Sequence, residues 1–456
     1  MSTPRVLVAG GVAAGMSAAS QAKRRMPDAD VVVFERGNRI SYGACGMPYN
    51  IEDPERDMED LVVLTPDQAR DVRGIGLELR HEVLGADARR GILRVRDLEA
   101  GRERDEPFDS LVIATGARAV QLPLPGFDLP GVHALRTFDD GDAVKTDLKQ
   151  YRPKTAVIIG AGYIGMEMAH VLTSRGLAVT VVEKLDQVIP GWSPSTAARV
   201  SSLLKEKGVR VITGAAVTEA TAGPDGRVAS VTVGEERLEA DLVLVAVGVR
   251  PNVEVAEASD LRIGETGAIW VDQQQGTSAE GIWAAGDCAE AYHRVLRRNT
   301  WIPLGTTANK QGRIAGANLA GANQRFRGIV GTAGFTVFDL QVARTGLGLE
   351  EAKAEGFEPV SVTIRQRSRA HGFPGAATIE TTIVADGPTG VVLGGELVGR
   401  DGAALRTHAL AACLAFHARV DDLQNLDLVY APPFAPVWDP VLVAANQLAK
   451  KIGSNS

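Results

Sequence analysis

The chain has 456 residues, 45% hydrophobic and 23% charged, with a formal net charge of −7 at neutral pH. At about 150 residues per domain it is too long for one core and predicts roughly three domains of an ordinary soluble protein. The acidic balance leaves no surplus of Lys and Arg to neutralise phosphates, which excludes a nucleic-acid binder.

Residues 5–9 read as a buried parallel strand. Val6 to Ala22 is apolar enough to pass for a secretory signal. It begins β-branched, however, turns at Gly10-Gly11 and runs past Lys23-Arg24-Arg25 into a second strand, Val31–Phe34. The reading is therefore a strand–helix–strand unit. Its turn, Gly10-Gly11-Val12-Ala13-Ala14-Gly15, is a loose dinucleotide fingerprint with Val12 in place of the second glycine, and Glu35 closes the unit. A strand at 111–113 ends in the turn Ala114-Thr115-Gly116, followed by a Pro- and Gly-rich stretch at 122–131.

The pattern then returns. Ala156–Ile159 reads as a strand, Gly160-Ala161-Gly162-Tyr163-Ile164-Gly165 as the turn, a helix runs through Leu172, and Val179–Val182 leads to Glu183. This is an internal duplication of a nucleotide-binding unit. The second fingerprint is the stronger: its glycines let backbone approach a pyrophosphate, the helix N-terminus favours the negative charge, and Glu183 would accept from a ribose. A carboxylate there favours NADH over NADPH, while Lys184 pulls the other way. The unit closes with an apolar strand at 242–247 and Gly248.

Ile282–Ala285 ends in Gly286-Asp287, where a carboxylate would reach a flavin ribityl chain or simply cap a helix. A helix is expected at 305–319. From about 331 the texture changes to strands at 334–339, 360–367 and 378–384 and helices at 401–416 and 439–452, an α+β domain. The paired units, the Ala-Thr-Gly turn and Gly-Asp argue for FAD in the first fold and a nicotinamide in the second.

Three cysteines, Cys45, Cys288 and Cys413, are too widely spaced for a disulfide framework or a zinc site, so no metal is expected and a reducing, cytoplasmic setting fits. No apolar run approaches the ~20 residues that span a bilayer.

With these motifs the chain resembles the pyridine nucleotide–disulfide oxidoreductases over nearly its whole length. The resemblance implies an α/β architecture of two Rossmann-like domains and a C-terminal α+β dimerisation domain. The FAD domain would span 1–118 and 265–325, the NAD(P)H domain 119–264, and the dimerisation domain 331–456 of a homodimer. It assigns Gly10, Gly11, Ala14, Gly15, Glu35, Arg36, Thr115, Gly116, Gly286 and Asp287 to FAD. Gly160, Gly162, Tyr163, Ile164, Gly165, Glu183 and Gly248 go to NADH or NADPH.

Cys45 lies in Ser41-Tyr42-Gly43-Ala44-Cys45-Gly46-Met47-Pro48-Tyr49. In the family this segment opens a helix against the flavin, and a helix N-terminus lowers a thiol pKa. Dithiol members place a second cysteine at what is here Asn50, so Cys45 must work alone, through a mixed disulfide, a persulfide or a sulfenic acid. The segment is similar to the coenzyme A-disulfide reductase branch, which includes persulfide and polysulfide reductases, and so is Tyr430-Ala431-Pro432-Pro433 near the C-terminus. That places Ser41 and Tyr430 in the site, Tyr430 reaching the partner's cysteine across the dimer, and Tyr49 against the substrate. Branch members carry a Tyr-Tyr-Pro-Gly stretch where this chain has His371-Gly372-Phe373-Pro374-Gly375. His371 would take over as acid or be a solvated loop residue. Arg365, Arg367 and Arg369 alternate and would share one strand face, toward an anion such as a coenzyme A phosphate or toward solvent.

The expected activity is NAD(P)H-dependent reduction of a disulfide, persulfide or polysulfide. The alternatives are an NADH oxidase working through a sulfenic acid and a low-turnover redox sensor. Ala13-Ala14 in the first loop, where peroxidase relatives have a His, weakens a peroxidase reading.

Overall fold

The structure, a computed structural model, describes residues 3–453. Its first unit is a parallel sheet in the order Ile282–Ala284, Ser110–Ile113, Arg5–Ala9, Asp30–Glu35, Gly76–Leu79. The second unit repeats the plan with Arg210–Ile212, Ala178–Val182, Thr155–Ile159, Leu242–Val245 and Val132–His133. In each sheet the leading strand lies in the middle and the chain departs to opposite sides of it, the switch point at which open α/β sheets bind ligands. The strands are apolar throughout because both faces are covered. Val6 and Val8 pack with the helices, while Leu7 and Ala9 pack with Val83, Leu93 and Val95 of an antiparallel meander. The second unit has a matching meander, Val217–Ala222, Val228–Val233 and Glu236–Glu239, so the duplication is longer than the fingerprints alone indicate.

The chain leaves the first domain along Ala117–Ala119 and returns along Val249–Pro251, and these two segments pair as an antiparallel ribbon. Thr115 Oγ1 donates to the Asn252 carbonyl and Asn252 Nδ2 donates to the Thr115 carbonyl, both at 2.8 Å. Past the ribbon, Val255, Ala256 and Leu261 are buried with Leu7, Ala9 and Phe34. The return to the first domain therefore falls near Asn252 rather than at 265; the one-turn helix Glu254–Glu257 is too short to announce itself by periodicity.

The C-terminal domain is an antiparallel sheet in the order Ala333–Val337, Leu340–Gly346, Val392–Gly399, Thr378–Asp386, Pro359–Arg367. The helices Ala403–Ala415 and Pro440–Gly453 cover one face. Phe335, Val337, Leu340, Val342 and Val398 join the core of the second unit on the other. This explains why Val392–Gly399 is buried along its whole length rather than at alternate positions. Buried Glu396 adds a polar latch, accepting from Ser193 Oγ at 2.6 Å and Thr196 Oγ1 at 2.8 Å.

Two helices of the first domain, Ala13–Arg25 and Gly305–Asn318, run side by side in one direction. A Cβ on Gly312 would lie 2.1 Å from the Ala14 carbonyl oxygen, and one on Gly316 would lie 2.2 Å from that of Ala18. Gly312→Ala should therefore force the helices apart at a cost of about 1–3 kcal/mol. The expected result is a lower denaturation midpoint; an unchanged midpoint would refute this close packing.

His293, on the hairpin next to the connector into the C-terminal domain, is 1% exposed. Burial, reinforced by Arg298, pulls its imidazole down to about 4. Between about 4 and 6.5 the folded chain thus binds fewer protons than the unfolded one, so stability falls as pH drops through that window, by at most about 3 kcal/mol for this group. In His293→Gln the acid-side fall in denaturation midpoint, read at about pH 7 and about pH 4.5, should be visibly smaller than in the parent.

Candidate active site

Both fingerprint loops are shaped by close backbone approach. Gly10 (φ +106°) and Gly160 (φ +99°) adopt left-handed turns, and a Cβ on them would lie 2.2 and 2.5 Å from the carbonyl oxygens of Ala114 and Ala246. A Cβ on Gly15 or Gly165 would meet the Gly10 or Gly160 carbonyl oxygen at 1.8 or 2.1 Å, so each helix starts hard against its strand. Neither helix carries a side-chain cap, which leaves the first amides for an anion. Gly162 faces open space. Val12, its counterpart, has a negative φ of −98°, so the first loop does not call for a left-handed residue there.

The acids also correspond. Glu35 accepts from the amides of Gly11 at 2.6 Å and Gly37 at 2.7 Å; Glu183 accepts from those of Ala161 at 2.8 Å and Leu185 at 2.9 Å. Burial pushes the Glu35 carboxyl up, and the two amide bonds oppose it. Gly286 sits against the first helix, where a Cβ would lie 2.7 Å from that of Ala14, and its amide donates to the buried Gln311. Gly116 and Gly248, both at positive φ, occupy equivalent turns after the closing strands. Ile164 packs on the second core, and the half-exposed Tyr163 ring lies against Trp192 and Phe335.

Ser41 takes a left-handed conformation (φ +47°), its amide donating to the Gly11 carbonyl at 2.9 Å and its carbonyl accepting from Val63 at 2.8 Å. The Cys45 segment is thereby tied to the first fingerprint. Cys45 is exposed, in a 3-10 turn at Ala44–Gly46 that runs into the helix Met47–Glu52. Asn50 is 3% exposed and donates to the Asp57 carbonyl at 2.5 Å. Lys145 holds the far end of the helix through the carbonyls of Asn50, Asp53 and Arg56. The other two thiols are buried.

The protein packed around Cys45 pushes its thiol pKa up; Glu167 adds to this, Arg136 opposes it and Asp287 adds again. This corrects the expected depression. The helix has only six residues, and Glu167 and Asp287 both act against the thiolate.

Asp287 caps no helix. It lies in a turn and accepts from Arg136 at 2.6 Å, while Arg136 also donates to the Ala117 carbonyl at 3.0 Å. Arg36 points outward, 3.7 Å from Glu82. Tyr430 is 53% exposed; its loop adjoins the His371 loop, where the Ala370 amide donates to the Pro432 carbonyl at 3.2 Å. His371 is exposed.

The arginine row is not a single anion-facing set. Arg365 and Arg367 share the exposed strand face, with Arg365 donating to Glu380 at 2.8 Å. Arg369 lies past the strand end and grips Asp401 at 2.7 and 3.0 Å. Sequence reasoning missed Arg136 and Lys145, which lie in no motif. It also missed Glu167, although a lone carboxylate in the apolar run Tyr163–Ala169 was a visible signal.

The uncapped helix ends, the open space before Gly162 and the amide-held acids fit two dinucleotides. Gly10–Gly15, Glu35, Gly286 and Asp287 would hold FAD, and Gly160–Gly165 and Glu183 a nicotinamide dinucleotide. Residues 4–312 match the model of the pyridine nucleotide-disulphide oxidoreductase family, and residues 332–440 match that of its dimerisation domain. The chain is 38% identical to the NAD(P)H coenzyme A polysulfide/persulfide reductase of Pyrococcus horikoshii, over 97% of this chain and 98% of that protein. It is 32% identical to an NADH oxidase of Methanocaldococcus jannaschii, over 99% and 100%. The structure of a NAD-dependent persulfide reductase from A. fulgidus superposes with a TM-score of 0.95 at 35% identity, covering 99% of this chain and 84% of that one. Two matched nucleotide units with a solitary thiol beside the first, and a family match over most of the chain, lead to one affiliation: this protein belongs to the pyridine nucleotide-disulphide oxidoreductases.

Proposed function

We propose that this enzyme uses FAD and NAD(P)H to reduce a sulfur–sulfur bond in a small disulfide, persulfide or polysulfide, coenzyme A-linked forms included, through Cys45. The observation that carries this is the exposed, partnerless thiol tied by Ser41 to the first fingerprint loop, with a buried asparagine where a second thiol would stand. The named activities of the Pyrococcus horikoshii and A. fulgidus relatives support the same substrate class. FAD, when bound, passes an electron pair from NAD(P)H to sulfur.

The chain's own part begins with Cys45. Its thiolate attacks one sulfur of the substrate, the sulfur–sulfur bond breaks, and a mixed disulfide forms as one thiolate leaves. Arg136, whose charge lowers the Cys45 pKa, favours the thiolate during attack. Two electrons returned to the mixed disulfide release the second thiolate and restore Cys45.

The C-terminal domain supports a homodimer. Leu405, Val429, Tyr430, Phe434, Val437 and Trp438 are large apolar or aromatic side chains more than half exposed on this domain, a surface of the kind that marks an interface. Tyr430 then serves the partner's Cys45 as proton donor to the leaving sulfur.

Cys45→Ser should lower NADH oxidation with coenzyme A disulfide, coenzyme A persulfide and polysulfide by about a thousandfold while NADH still reduces the bound flavin in a single turnover. Full activity with the sulfur acceptors would sink the reading, and loss confined to oxygen consumption would favour an oxidase.

Tyr430→Phe should cost about a hundredfold with the same acceptors. In mixed dimers of Cys45→Ser and Tyr430→Phe subunits, one site regains both groups if the tyrosine is donated across the interface. Activity should then return to about half that of the parent; mixed dimers as inactive as either variant would rule out donation between subunits.

A further inference from the structure

The helix that follows Cys45 and the helix of the second fingerprint meet at two polar pairs, one of them His170 Nε2 against Glu52 at 3.1 Å. Tyr49 donates to Glu167 Oε1 at 2.9 Å. Tyr49 stands four positions after Cys45, about one turn on along the path from Ala44–Gly46 into Met47–Glu52. Thr336 of the C-terminal domain lies against the same hydroxyl, and the charge of Cys45 acts on it. Burial raises the Cys45 pKa most, and the charges of Glu167, Arg136 and Asp287 act on it as well. Arg136 and Asp287 are paired with each other at 2.6 Å, whereas Glu167 is held by the neutral Tyr49 hydroxyl. Burial pushes its carboxyl up, opposed only by the Tyr49 hydrogen bond. The first fingerprint loop, with Ala13-Ala14, supplies no histidine to do proton work.

We propose that Glu167, acting through Tyr49, holds the proton that Cys45 gives up and takes back, so that the two groups carry a single negative charge between them. The inference rests on the reading of Cys45 as the sulfur-exchanging group. In the forward direction the thiol proton passes to the Tyr49 oxygen as the phenol proton passes to Glu167, leaving Cys45 as thiolate, Tyr49 unchanged and Glu167 neutral. The same path run backward protonates sulfur once the mixed disulfide has been reduced. No electrons move in either step. Two adjacent anions are disfavoured, so the proton stays within the pair. Glu167 is thus a positioning residue for the proton of Cys45, carried on the helix that opens the nicotinamide site.

The test uses the FAD-loaded dimer and reads Cys45 alkylation by iodoacetamide against pH, by intact mass. Glu167→Gln removes the charge and keeps the shape. Its alkylation profile should move down by about one pH unit, making alkylation near neutral pH about tenfold faster, while turnover with the disulfide falls. Tyr49→Phe keeps the charge and breaks the path, so its alkylation profile should stay in place while disulfide turnover falls about tenfold or more. An unmoved alkylation profile in Glu167→Gln overturns the proposal, including the case in which only flavin reduction by NADH is slowed, which would assign Glu167 to the nicotinamide alone. So does full disulfide turnover by Tyr49→Phe at every pH. Alkylation reports the proton on Cys45 without turnover, so a failure of the sulfur-reductase reading would show separately, in the Cys45→Ser activities.

Discussion

Backbone passes against backbone in this molecule where a side chain would not fit, and the sites follow from it. Gly15 and Gly165 bring each first helix onto the turn glycine of its own loop, and Gly312 and Gly316 bring a second helix onto Ala14 and Ala18. The uncapped helix ends are thereby held at the strand ends. Glu35 and Glu183 are brought within reach of loop amides, and the Gly11 carbonyl is in place for Ser41 to hang the Cys45 segment on it. Each close approach forfeits a side chain and the packing it would supply, and gains a position for a charged ligand.

The Cys45 thiol is exposed yet biased toward its protonated form, a combination that differs from cysteines activated by a long helix or a neighbouring histidine. A thiol in that state reacts slowly with stray oxidants, because the thiolate is the reactive species. Asn50 is fixed in the core where a second thiol would stand, so a mixed disulfide formed at Cys45 would be left to the substrate or to returning electrons to resolve.

Much of this was legible in the sequence, for physical reasons. Parallel strands buried on both faces give unbroken apolar runs, and glycines forced by close approach leave a spacing that survives even with Val12 in the first loop. The solitary nature of Cys45 followed from Asn50. What was hidden depended on partners distant in the chain. The meander strand Glu103–Pro107 is charged and mostly exposed, so no alternation marks it. The return to the first domain near Asn252 is decided by burial against Leu7 and Phe34, not by local pattern. The electrostatics of Cys45 come from Glu167, Arg136 and Asp287, which only the fold brings together. Arg369 was misplaced because the alternation it continues stops at Arg367, where the strand ends.

The ribbon of Ala117–Ala119 and Val249–Pro251 also bears on how the chain folds. The first domain is assembled from two stretches separated by the whole nicotinamide unit, a separation that would ordinarily slow its closure. Once the inserted unit has folded, however, its two ends lie in register as neighbouring strands, clasped by Thr115 and Asn252. For the first domain, the long excursion then counts as little more than a tight connection, and the entropy of bringing its halves together is largely removed before they meet. The nicotinamide unit acts as the turn of a very large hairpin.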